Sequence, residues 1–192
     1  MDSLAGLKVM TCADASRLED WLDEHHGDTP GVWVKIAKKG AGVASVTAAE
    51  VNDVALCYGW ITGHRKAYDD VHYLQKITPR RPRSLWSKVN VDRIEELTAE
   101  GRMREPGLAE VTLARSDGRW DAAYESQRNA TVPDDLAAAL AASPAAHKTF
   151  EALTKSERYV VLHRLMTAKT PATRTARLER MLARLESGEA IS

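Results

Sequence analysis

Apolar and polar positions alternate along this chain with two different periods, and the changes of period mark its elements. Leu18, Trp21 and Leu22 recur at i, i+3 and i+4, with Asp14 where an N-cap belongs and Gly27 after the end; this predicts a helix. Over Gly31–Lys38 the period drops to two. Val32, Val34 and Ile36 alternate with Trp33, Lys35 and Ala37, which predicts a strand. Lys39–Gly42 reads as a loop. Thr47 and Glu50 form a capping box, in which hydroxyl and carboxylate satisfy each other's helix-start amides. A helix over Ala48–Tyr58 follows, with Gly59 as its left-handed stop. Trp60–Ala67 and Val71–Ile77 then read as strands joined by an Asp69-Asp70 turn. A two-residue turn sets His72 opposite Ala67 and His64 opposite Gln75, with the two histidines on opposite faces.

Beyond Arg83 the pattern is helical to the end. Ser84 or Ser87 caps a helix whose stripe is Trp86, Val89, Ile94 and Leu97, and Gly101 ends it. Pro106 suits the first turn of a short helix through about Ser116, broken by Asp117-Gly118. Residues 126–133 read as a linker. Pro133 and Pro144 open two Ala-rich helices, Lys155–Ala168 makes another, and Thr170-Pro171 opens the last. The last helix carries Leu178, Met181, Leu182 and Leu185 on one face and stops at Gly188. That stripe would pack on its own domain, or serve a homodimer. The expected class is α+β: a small antiparallel sheet with flanking helices, then an all-helical part. The expected domains are 1–125, an α+β core with the hairpin and following helices, and 126–192, a C-terminal helical region.

At 192 residues the chain can bury a core without staples. Cys12 and Cys57, its two cysteines, imply neither a disulfide framework nor a zinc site. No stretch is long and apolar enough for a membrane span, and the N-terminal residues lack the charged-then-apolar pattern of a secretion signal, so the expected location is the cytoplasm. Net charge is zero but unevenly spread. Residues 1–59 carry five Lys/Arg against nine Asp/Glu, whereas 60–93 carry eight against three. Residues 155–184 carry eight against two. Such asymmetry points to anionic partners more than total charge does.

Familiar catalytic patterns are missing: no GxGxxG, Walker loop, HExxH, CxxC or GxSxG occurs. Asp69 and Asp70 are explained by the turn, and Glu95-Glu96 by a solvated helix face. No catalytic residue, metal or cofactor is therefore assigned, and a non-enzymatic role is favoured. His64, Asp69 and Tyr73 are the titratable groups an enzyme reading would use.

The most informative stretch runs from Cys57 to Asn90. In Thr78-Pro-Arg-Arg-Pro-Arg-Ser-Leu-Trp-Ser87, two prolines stiffen a segment bearing Arg80, Arg81 and Arg83 just before a helix start. Guanidinium forks and helix-start amides both suit phosphate or carboxylate. Trp60 and Trp86 would add flat surfaces for stacking. The candidate ligand site is thus Trp60, Arg80, Arg81, Arg83, Ser84, Trp86 and Ser87. The plainer alternative makes both tryptophans core residues and pairs Arg83 with Glu50 or Asp53.

Cys57-Tyr-Gly-Trp-Ile-Thr-Gly63, Thr78–Asn90, Gly101-Arg-Met103 and Gly107-Leu-Ala109 resemble the YdeI/OmpD-associated family, also labelled bacteriocin-protection. Gly31-Val-Trp-Val and the Ala-rich C-terminal part are similar too, so the resemblance spans nearly the whole chain. It implies protection against antimicrobial peptides and a link to an outer-membrane porin, with no defined reaction or cofactor. Thr62 stands where the family commonly has aspartate. The favoured reading is a binding protein for a small molecule or anionic group. The alternatives are nucleic-acid binding through the same basic, aromatic surface, or an enzyme acting on an anionic substrate.

Overall fold

Asp14 caps the first helix, as its position predicts: its carboxylate accepts from the Arg17 amide at 3.2 Å. In a computed structural model of the chain, which describes residues 3–191, the elements run β1 (Ser3–Leu4), β2 (Leu7–Thr11), α1 (Ala15–His25), β3 (Val32–Ala37), α2 (Ala48–Cys57), β4 (Trp60–Ala67), β5 (His72–Pro79), α3 (Lys88–Ala99), α4 (Glu105–Ser116), α5 (Asp134–Ala142), α6 (Pro144–Ala152), α7 (Lys155–Met166) and α8 (Pro171–Ser187). The Thr47–Glu50 capping box is closed in both directions. The class is α+β, with every strand in the N-terminal part and helices alone in the C-terminal part.

The sheet departs from expectation in two ways. It has five strands in the order β1-β2-β3-β5-β4, and β2 runs parallel to β3 through the α1 crossover, so it is mixed rather than antiparallel throughout. The β1–β2 hairpin turns on Ala5 and Gly6, both at positive φ, the conformation a two-residue turn of this hand needs. The second departure is the β4–β5 register. Ala67 faces Tyr73 and Arg65 faces Gln75, one residue away from the two-residue-turn pairing, with an irregularity between Thr62 and Arg65. Asp69 is the cause: its carboxylate accepts from the amides of Val71 (2.8 Å) and His72 (2.6 Å), which holds a longer turn.

The chain forms two compact units. The first takes the residues up to Ser84 and Asn90–Asp121; the second takes Leu85–Val89 and everything from Ala122. The first buries Leu18, Leu22, Val34, Ile36, Val51, Val54, Trp60, Ile77, Ile94 and Leu97. On α3 the buried stripe is Val91, Ile94 and Leu97, whereas Val89 is 53% exposed. In the second unit Leu136, Leu140, Phe150, Val161, Leu165, Met181 and Leu185 make one core, with Leu178 and Leu182 packed against it. The α8 stripe is therefore spent on its own unit. The short segment Leu85–Val89 is tied in by a bridge between Ser87 and Tyr124, with Tyr124 N–H donating to the Trp86 carbonyl (3.0 Å) and Lys88 N–H to the Tyr124 carbonyl (2.8 Å).

Candidate functional site

The seven residues singled out from sequence fall in both units: Trp60, Arg80, Arg81, Arg83 and Ser84 in the first, Trp86 and Ser87 in the second. Trp60 is 1% exposed; its ring meets Trp21 edge-on and its Nε1–H donates to the His26 carbonyl at 3.3 Å. Trp86 is equally buried. Both rings fill core, so neither offers an open face for stacking. Arg80 is also buried, and its backbone N–H donates to the Gly59 carbonyl. Arg81 and Arg83 are exposed. They sit in a turn closed by Ser84, whose N–H donates to the Arg81 carbonyl and whose Oγ accepts from the Arg81 N–H. Ser84 thus closes a turn and caps no helix, because α3 begins at Lys88. Arg83 adopts a φ of 67° within that turn. Its expected partners are engaged elsewhere: Asp53 with Arg93, Glu50 in its capping box.

Of the enzyme-reading residues, His64 is exposed, and Asp69 and Tyr73 are engaged in structural contacts. Asp69 holds the turn and also contacts the His72 ring at 3.1 Å. Tyr73 lies beneath the Arg65 guanidinium. Thr62 donates its hydroxyl hydrogen to Asn52 Oδ1. Among the described residues no group of three or more His, Cys, Asp or Glu is placed to hold a metal ion.

A different constellation gathers in the second unit. Thr154 and Glu157 box the start of α7. The carbonyls of the last turn of α7 form the negative end of that helix, and α8 supplies cations to them. Arg177 Nη1–H donates to the Arg164 carbonyl (2.6 Å) and to Thr167 Oγ1 (3.2 Å). Arg174 donates to the Leu165 carbonyl and makes a two-point contact with Asp135, at 2.7 and 2.8 Å, which holds that carboxyl below its usual range. Beside these contacts lies a cleft of about 360 Å³ lined by His163, Arg164, Thr167, Arg177, Arg180 and Met181. Three guanidinium groups, an imidazole and a hydroxyl line it, with no carboxylate among them. His163 lies edge-on to Tyr124 (4.6 Å between ring centres) and beside Tyr159 (5.7 Å). Burial, and then the charge of Arg177, push the His163 pKa down. The set is suited to an anion of modest size.

Sequence reading registered the basic excess over 155–184 but did not assemble this site. Arg164 and Arg177 stand thirteen positions apart on two helices, and only the α7–α8 packing brings them together. None of the seven sequence-derived residues lines this cleft.

Among the described residues no helix is long and apolar enough to cross a membrane. No curated protein and no solved structure matches the chain. Two family descriptions do. Residues 129–188, which hold α5 to α8, match the family described as bacteriocin-protection, YdeI or OmpD-associated, the family that the sequence resembles; the match covers this C-terminal part alone and not the motifs between Cys57 and Ala109. Residues 10–110, more than half of the chain, match a domain of unknown function, DUF8412. The chain belongs to the DUF8412 family and carries a YdeI/OmpD-associated module at its C-terminal end.

Proposed function

We propose that this chain is a non-enzymatic binding protein that captures an anionic group in the α7–α8 cleft. The observation that carries the reading is the lining itself: Arg164, Arg177, Arg180 and His163 stand around one opening, and no Asp or Glu is among its lining residues. Arginine presents its donors as a rigid fork, so several converging on one cleft favour phosphate, sulfate or carboxylate. The cleft lies within the YdeI/OmpD-associated module. Protection by sequestration fits the label of that family. A cationic peptide suits a basic cleft poorly, so the captured species would be an anion and any protection against peptides indirect. Arg81 and Arg83 are exposed and line no part of this cleft. A cytoplasmic location belongs to the same proposal; two buried, free thiols suit a reducing compartment.

Calorimetric titration with sulfate, inorganic phosphate and citrate tests the reading. Arg180 is exposed, so Arg180→Ala should leave the fold intact while weakening the tightest of these by about ten-fold, or ~1.4 kcal/mol. Arg81→Ala and Arg83→Ala should leave affinity unchanged. Absence of binding by all three anions, or equal affinity in Arg180→Ala, overturns it. A single-stranded oligonucleotide is the counter-probe. Binding to it that weakens with a log–log salt slope of roughly 0.7 per neutralised phosphate, with no small-anion binding, would establish the nucleic-acid alternative.

A further inference from the structure

We propose that the first unit docks on a second copy of itself, the Arg81–Arg83 turn of each copy entering an acidic, tryptophan-walled cleft of the other. The cleft lies along α1. Arg17, Asp20, Trp21 and Glu24 recur at i, i+3, i+4 and i+7, so they share one face of that helix. They line an opening of about 470 Å³ together with residues of β2 and of the loop before α2, and none of its lining residues is buried. Trp21 is half-buried, and the Lys8 ammonium lies 5.9 Å from its ring centre, the outer limit of a cation–π contact. Other acids of α1 are engaged: Glu19 with Arg102 and Arg104, Asp23 by the Tyr58 hydroxyl. Asp20 has no ion pair among the described residues, and Glu24, its side chain 77% exposed, has only His25 at 3.9 Å.

The turn is the complementary half. Arg81 and Arg83 are exposed on either side of Pro82, and neither has an ion pair among the described residues. The turn is fixed from behind: Arg119, anchored on Asp117, donates to the Ser84 carbonyl at 3.0 Å, and Ser84 closes onto Arg81. Arg83 is held at a φ of 67°, which costs an L side chain energy, and no ion pair within the chain uses its guanidinium. Strain of this kind persists where it presents a group for function. Both halves lie at one end of the sheet, because Trp60 pairs with Pro79, next to Arg80, and its ring meets Trp21 at 6.1 Å. A two-fold axis can then repeat the contact, each turn in the other copy's cleft. The charge split along the chain matches: 1–59 carry five Lys/Arg against nine Asp/Glu, and 60–93 carry eight against three. Arginine suits the cleft because its fork pairs with carboxylates while its plane stacks on an indole. A different acidic partner would use the turn and leave the cleft empty, whereas a second copy uses both.

Sedimentation velocity of the full chain over a concentration series tests this. A dimer should form at about 0.1 M salt and weaken at least about ten-fold by about 1 M, as the screening length falls from about 10 Å to about 3 Å. Reversing the turn (Arg81→Glu with Arg83→Glu) should weaken self-association at least about ten-fold, and so should reversing the cleft (Asp20→Lys with Glu24→Lys). Mixing the two reversed proteins should restore the dimer, because every contact then pairs opposite charges again. Circular dichroism reports whether each variant folds. If a reversed protein does not, Arg81→Gln with Arg83→Gln and Asp20→Asn with Glu24→Gln replace the reversals, and each should weaken the dimer and remove its salt dependence. Arg180→Ala should dimerise as the wild type does, which separates this surface from the α7–α8 cleft. A monomer at every concentration, a dimer indifferent to salt or to either set of substitutions, or folded reversed proteins that do not pair when mixed would each overturn the proposal.

Discussion

Arg93 of α3 grips Asp53 of α2 through two parallel hydrogen bonds, Nε–H to Oδ1 at 2.8 Å and Nη2–H to Oδ2 at 2.7 Å. The Asp53 side chain is only 15% exposed, and Arg102 approaches the same carboxylate at 3.6 Å. Those contacts raise the Arg93 pKa further above its already high value, with Asp53 the largest cause. A two-point pair in a half-buried setting is worth more than a surface ion pair. Asp53→Asn keeps the shape and removes the charge, and it should destabilise the first unit by about 1–3 kcal/mol. Arg83→Ala should fall within about 0.5 kcal/mol of wild type, since Arg83 is exposed. Urea denaturation of the three proteins measures both. Equal midpoints for Asp53→Asn and wild type would show that the pair is ornamental.

Gly107 explains part of the motif that marks this chain. A Cβ placed there would come 2.2 Å from the Cys57 carbonyl oxygen and 2.9 Å from the Met103 methyl. Gly59, at a φ of 72°, would meet the Pro106 carbonyl oxygen at 2.9 Å in the same way. The end of α2 and the start of α4 therefore touch backbone to backbone, and the Arg104 N–H donates to the Cys57 carbonyl at 3.1 Å. Gly107→Ala must push α4 away from α2. The expected loss is at least ~2 kcal/mol, read as a lower unfolding midpoint, and it should far exceed that of Ala109→Gly on the same helix.

What was legible from sequence follows the range of the interactions involved. Asp14, Thr47–Glu50 and Gly188 act within four residues, and each stands where sequence reading places it. Strand β2 was missed because its five residues are held by parallel pairing to β3, across the whole of α1. The hairpin register slipped by one because a carboxylate, not the backbone alone, sets that turn. Trp60 and Trp86 read as ligand platforms because sequence shows a ring and not what covers it. The α7–α8 cleft was invisible for the same reason as β2: its residues share a surface only after the helices pack.

Arg83 occupies a left-handed conformation that an L side chain enters at a cost of roughly 1–2 kcal/mol. The Arg81–Ser84 turn imposes it. Glycine enters that region without the steric penalty, although it loses more freedom on folding. Arg83→Gly should therefore raise stability by up to about 1 kcal/mol, while Arg83→Ala should not. Thermal melts of the two variants decide it. A lower midpoint for Arg83→Gly would mean that the arginine side chain itself contributes more than the strain costs.

The cleft between α7 and α8 carries its own pH dependence through His163. Its folded pKa lies below the ordinary 6.5, first because it is half-buried and second because Arg177 is near. Tyr159 beside it has its pKa raised chiefly by burial and stays neutral across this range. As pH falls below about 6.5 the unfolded chain takes up the proton more readily than the folded one. Stability that His163 contributes above that pH is then lost through its folded pKa, and His163→Gln should flatten this part of the profile. An anion in the cleft opposes this shift, because it offsets the charge of Arg177, the second of its two causes. Binding should take up a proton, so affinity for sulfate, whose charge is fixed over this range, should rise from about pH 7.5 to about pH 5.5. Calorimetry in two buffers of different ionisation enthalpy counts that proton. Sulfate affinity that is flat with pH in wild type, or equally steep in His163→Gln, would remove His163 from the site.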